Sequence, residues 1–196
     1  MISQTRTLFI SPQFIKDNTV VNDSVDTNII QKSIRTAMDK YIHPLIGSEM
    51  YEALIDKINT GSITGTTNAA YKTLLDEYVI PVTIEYSVYE LVPFANYKFR
   101  NKSISTQNSP DSTSAGLDEL AYIRQNILDT AQFYGERLVS YLIKQSSASV
   151  FPEYFTWTQG DIPPAKGDYF GGIHIPHTNR GDCSNFGMGY GTPINY

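Results

Sequence analysis

Cysteine is nearly absent from this chain. Cys183 stands alone, so it closes no internal disulfide and leaves no cysteine-rich zinc framework. Charge is sparse as well: charged residues make up 18%, below the typical ~25%, and the formal net charge is only -5. That balance excludes a basic nucleic-acid clamp, which needs a surplus of Lys and Arg to meet phosphates. No apolar run approaches the ~20 residues of a membrane span. The start, Met1-Ile2-Ser3-Gln4-Thr5-Arg6, lacks a charged opening followed by a long apolar stretch, so no signal peptide is expected. The expectation is a soluble protein made in a reducing compartment.

Tyrosine is abundant by contrast. Fourteen Tyr, nine Phe and one Trp bring aromatics to 12%, and Tyr joins apolar area to a hydroxyl that tolerates water, which suits protein interfaces. With 41% hydrophobic residues in 196, the chain has enough apolar material for one domain with its own core.

Four stretches differ in character. Residues 1–24 are polar and β-leaning, with Leu8-Phe9-Ile10, Pro12 and Val20-Val21, and read as an extended N-terminal arm. Residues 25–150 carry helical periodicity. A first helix starts near Asp26 or Thr27 and places Ile30, Ile34, Ala37 or Met38, and Tyr41 on one face. His43-Pro44 should stop it, because proline pushes the preceding residue out of the α region. Ser48 caps a second helix carrying Tyr51, Leu54, Ile55 and Ile58. Asn68 opens a third that runs to about Arg100, with Pro81 expected to kink it. Residues 101–116, with Ser or Thr at seven of sixteen positions, read as a flexible loop. The fourth helix runs from Leu117 to about Gln145 on a stripe of Leu120, Ile123, Ile127, Ala131, Tyr134, Leu138 and Tyr141 or Leu142. The predicted fold is therefore mainly α: an antiparallel helical bundle of about four helices, two of them long.

Residues 151–196 form an irregular tail of another composition. Eight Gly and five Pro fall among its 46 residues, and it has no Leu and no Val. It nevertheless holds Phe151, Tyr154, Phe155, Trp157, Tyr169, Phe170, Phe186, Tyr190 and Tyr196. One reading is a disordered C-terminus, although a disordered linker is poor in aromatics. Glycine for conformational freedom with spaced aromatic anchors suits an arm that lies along a partner, and Phe151 to Tyr190 of this series are the candidate interface residues.

Catalytic and metal patterns are weak. His174-Ile175-Pro176-His177 with Asp182 and Cys183 is the best metal or nucleophile candidate, but its pair spans a proline and no second ligand frame supports it. Carboxylates are scattered, and Gly187-Met188-Gly189-Tyr190-Gly191 lacks the Lys-Ser/Thr and the helix of a phosphate loop. No enzyme, cofactor or metal is expected.

The order of segments resembles the small head-to-tail connector (adaptor or ring) proteins of tailed bacteriophages, most closely those of crAss-like phages. The matching residues are Phe9-Ile10-Ser11-Pro12-Gln13-Phe14-Ile15-Lys16 with Asn22-Asp23, then Ile42-His43-Pro44-Leu45-Ile46-Gly47 and Met50-Tyr51-Glu52-Ala53-Leu54, then Tyr78-Val79-Ile80-Pro81, and Tyr134-Gly135-Glu136-Arg137-Leu138 in the last long helix. The likeness covers roughly residues 8–148. It implies a structural virion protein at the portal vertex, assembled in the host cytoplasm as a ring of typically twelve copies beneath the portal protein. Such a ring extends the DNA channel, lets DNA pass without sequence-specific binding, and offers a docking face to other connector or tail proteins, with no membrane involved. The acidic balance suits a channel wall that must not hold DNA. On this reading the tail 151–196 staples a neighbouring subunit or ring, and its deletion should leave a folded bundle. The competing readings are a cytoplasmic helical protein-binding module whose aromatic tail recognises a partner, and a small enzyme built on the His174, His177, Asp182 and Cys183 cluster.

Overall fold

The computed structural model describes residues 6–100, 103–106, 116–145, 150–155 and 161–165, and for 95–100 and 103–106 it describes the backbone alone. The chain is mainly helical, and its long helices pack as an antiparallel bundle. The helices are α1 (Pro12–Asn18), α2 (Thr27–Ala37), α3 (His43–Ile46), α4 (Ser48–Asn59), α5 (Ala69–Leu74), α6 (Ile80–Asn96), α7 (Leu117–Lys144) and α8 (Pro152–Phe155). α6 lies at the centre, packed between α2 and α7. Among the described residues no helix is long and apolar enough to cross a membrane.

The amphipathic stripe of α2 buries as its spacing dictates: Ile30, Ile34, Ala37 and Met38 are all in the core. Asp26 begins the helix by accepting the Asn28 N–H at 2.9 Å. Pro44 behaves differently from expectation. Pro44 does not stop the first helix, and the third continues through Pro81. Each is preceded by a five-residue π turn, Met38–Ile42 and Leu75–Val79. A proline ring collides with the carbonyl four residues back and lacks an N–H. The wide turn takes up both problems: the His43 N–H bonds Met38 O, the Ile80 N–H bonds Leu75 O, and the helix continues through the following proline. What ends the first helix is Gly47, at φ 79° and ψ 160°.

Residues 6–24 are not an extended arm. Ser11 accepts the Phe14 N–H at 3.1 Å, Pro12 occupies the first turn, and α1 forms behind this cap. Phe9, Ile10 and Ile15 are buried with the bundle core. The third helix ends at Asn96, before Arg100. Tyr97–Arg100 and Ser103–Thr106 then pair as an antiparallel β-hairpin, with Tyr97 opposite Thr106, so part of the stretch expected to be loop is a strand. Residues 101–102 and 107–115 of that stretch lie outside the described residues.

The bundle also extends past its expected end at residue 150. Phe151 and Tyr154 are fully buried, and residues 161–165 form a strap across the α3–α4 junction. The Ser48 N–H donates to Ile162 O at 3.0 Å and the Ala165 N–H to Leu45 O at 3.2 Å. The Tyr154 hydroxyl donates to Ala165 O.

Candidate interaction surface

Ser48 was expected as a helix cap; its hydroxyl serves the strap instead. It donates to the Asp161 carboxylate, accepts the Ile162 N–H at 3.1 Å, and lies 2.8 Å from His43 Nε2. With the serine proton committed to Asp161, His43 presents Nε2–H as a donor, and its ring stacks on Tyr51 at 4.6 Å. This is the reverse of a nucleophile and its base, where the histidine must take the serine proton. The trio fastens residues 113 apart, and Ser48 is itself buried. The Ser48 hydroxyl, with help from His43, holds the exposed Asp161 carboxyl below its ordinary range. A folded-state value below the unfolded one contributes stability that is complete above the unfolded value and is lost as pH falls through the folded value. The strap should therefore loosen in acid. In Asp161→Asn this acid-dependent part should vanish, read as the difference in urea midpoint between neutral and acid pH; an unchanged pH dependence would show that Asp161 has no part in the clasp.

A second polar cluster joins α2 and its π turn to α6. The Lys40 ammonium and the Tyr41 hydroxyl both donate to Glu90 Oε1, at 2.8 and 2.6 Å. Tyr41 stacks on Tyr86 with ring centroids 4.0 Å apart. Burial opposes the charge on Glu90, yet the two hydrogen bonds and the nearby cations keep its carboxyl below the usual range. Burial first, then the bond to Glu90, pushes Tyr41 up to about 12. Every member is bonded to another, so the cluster locks two helices together and presents no group poised for reaction. Among the described residues no group of three or more His, Cys, Asp or Glu is placed to hold a metal. His174, His177, Asp182 and Cys183 lie outside the described residues.

The candidate anchors of the tail divide. Phe151 and Tyr154 are core residues: Phe151 meets the Tyr71 ring edge-on at 5.2 Å, and Tyr154 meets Phe155 at 5.0 Å. They cannot be arm anchors, because their surface is already spent inside this chain; Phe155 is half-buried beside them. Trp157, Tyr169, Phe170, Phe186 and Tyr190 lie outside the described residues.

Among the described residues the most exposed aromatic side chains, Tyr122 and Phe133, belong to α7, at ~1.5 Å per residue a rod of roughly 42 Å. Its buried residues, Ala131, Gly135, Leu138 and Leu142, all come from the C-terminal half. Arg124, nearer the N-terminus, lays its guanidinium 4.2 Å from the Tyr89 ring centre. In the first two turns Leu117 is 71% and Ile123 43% exposed, while Leu120 is half-buried. Ile123 was expected in the core stripe; it keeps the angular position but is exposed rather than buried. Tyr122 and Phe133 are exposed as well. They sit eleven residues, about three turns, apart on the side of the helix opposite Ala131, Leu138 and Leu142. Tyr122 is 70% and Phe133 63% exposed. No stripe analysis aimed at the core selects them. The signal was present in the sequence as two large aromatics at helical spacing on the polar side, among Asn126, Asp129 and Glu136.

A protein-family model described as a family of unknown function (DUF6712) matches residues 42–163. The matched stretch opens at the second half of the first helix and closes within the strap. No curated protein and no solved structure matches the chain.

Proposed function

The chain belongs to the DUF6712 family, and from the resemblance of its segment order to connector proteins, together with an exposed aromatic face on α7, we propose that it is a structural protein of a tailed-phage virion, one subunit of a connector ring between portal and tail. The observation that carries this reading is the outer face of α7, where Tyr122 and Phe133 stand 70% and 63% exposed on a rigid rod, Phe133 meeting the neighbouring Tyr134 ring edge-on at 5.5 Å. Large aromatics in that position suit subunit contacts. Other features support it. The polar clusters join helices to one another and to the strap, as a load-bearing subunit requires, and the formal charge of -5 suits a channel wall past which DNA slides. The segment order resembles that of the connector proteins. The ring stacks bundles side by side, with α6 and α7 supplying rigid length.

Native mass spectrometry of the purified protein, alone and mixed with the portal protein of the same phage, tests this. The expected result is a ring-sized multiple of the 22.0 kDa chain on the portal. A species that ignores the portal and stays monomeric would overturn the connector reading in favour of a binding module for another partner.

A further inference from the structure

Tyr122 and Phe133 offer two largely exposed rings on one face of α7, and the chain itself limits what could cover them. Residues 107–115, immediately before α7, read Gln-Asn-Ser-Pro-Asp-Ser-Thr-Ser-Ala and carry no large apolar group to cover an aromatic ring. Residues 166–196 carry Tyr169, Phe170, Phe186, Tyr190 and Tyr196 with Ile173, Ile175, Met188 and Ile194. Their four formal charges, Lys166, Asp168, Arg180 and Asp182, cancel, so they meet no net repulsion from an acidic bundle.

The strap fixes where this segment begins. The Ala165 N–H is bonded to Leu45 O and its carbonyl to the Tyr154 hydroxyl. Leu45 in turn packs against α7 at Gly135, on the side that faces the core. Gly135 is two residues from Phe133 in sequence and ~20 Å along the helix from Tyr122. The 31 residues from 166 to 196 reach up to ~100 Å when extended. Length is therefore ample, but direction matters. The segment starts on the inner side of its own α7, whereas the aromatic pair stands on the outer side, which a bundle packed alongside meets directly.

We propose that residues 166–196 of one copy dock on the outer face of α7 of a neighbouring copy, with aromatic side chains packed over Tyr122 and Phe133. The proposal rests on the assembly reading above and names the surface that receives the tail.

The test uses the full chain with a photo-reactive benzophenone amino acid at position 126, an exposed site between the two aromatics. Equal amounts of ¹⁵N-labelled and unlabelled protein are assembled, irradiated, digested and mapped. The expected crosslinks join position 126 to peptides of 166–196, and half of them pair a labelled with an unlabelled chain. Adding Tyr122→Asp and Phe133→Asp together should lower that yield by about tenfold while the unfolding midpoint stays put. Crosslinks to another segment, for instance to α1 around the exposed Phe14, would overturn the proposal, as would tail crosslinks confined to single chains. Native mass on the same samples separates the two levels. Rings whose crosslinks miss the tail sink this docking and leave the assembly reading standing, whereas a protein that forms no multiple sinks both.

Discussion

Gly47→Ala should be among the most damaging single substitutions in the protein. Gly47 holds φ 79° and ψ 160°, a region that side chains other than glycine's scarcely enter. A Cβ there would lie 2.8 Å from Pro164 N and 2.9 Å from Pro164 Cδ. These are ring atoms of a proline, with no rotamer to escape into. Either the turn between α3 and α4 changes shape, or the strap 161–165 lifts. If it lifts, the bonds from Ser48 and Ala165 go with it. Backbone strain and overpacking together set the expected loss at roughly 2–5 kcal/mol. Gly61 supplies the control. It too has a positive φ, 68°, but nothing lies within 4 Å of a Cβ built on it, so Gly61→Ala should cost only about 1–2 kcal/mol. Urea unfolding of both variants, with hydrogen exchange at the Ser48 and Ala165 amides, provides the measurement. Equal midpoints for the two alanine variants, with both amides still protected, would show that the strap does not bear on Gly47.

How far the sequence could be read follows from how far apart the cooperating residues lie. The α2 stripe of Ile30, Ile34 and Ala37 was plain because a helix records its buried face within a few residues. α1 was missed although Ser11-Pro12 is a helix-start signal, since the apolar residues around it suggested a strand. Pro44 and Pro81 were correctly seen as incompatible with a regular α turn. The remedy, one wide turn ahead of each, depends on Ile42 and Val79 remaining buried, and that is a tertiary demand. The clasp of His43, Ser48 and Asp161 joins residues 113 apart, and no local spacing announces it. The aromatic pair on α7 failed in the opposite way. Tyr122 and Phe133 were visible, but a search for the core discards what sits on the polar face. The tail was judged by the composition of all 46 residues, and the glycine-rich remainder concealed that its first residues are core.

That last point leads to the second large effect. Phe151 is fully buried, edge-on to Tyr71 at 5.2 Å and tilted against Tyr141 at 6.3 Å. Tyr71 also donates its hydroxyl to Glu153 Oε2 at 2.6 Å and receives the Lys57 ammonium over its ring at 4.3 Å. Phe151 and Tyr71 together thus tie the start of α8 to α4, α5 and α7. Phe151→Ala would leave a cavity walled by tyrosines whose own bonds hold them in place, so little collapse is available. The expected loss is about 3–5 kcal/mol. Tyr154 is buried alongside, and its removal would also free the strap. It follows that the chain cannot be cut at residue 150 without harm, although composition suggested that everything from 151 onward was arm. A chain ending at Ala165 should keep the full-length urea midpoint, whereas one ending at Val150 should lose at least as much as Phe151→Ala. If the shorter chain unfolds at the full-length midpoint, the aromatic contacts of α8 contribute nothing to the fold, and Phe151 and Tyr154 return to the list of surface anchors. If the two truncations part as expected, the arm begins only after the strap, and assembly defects in a chain ending at Ala165 can be assigned to lost subunit contacts rather than to a damaged bundle.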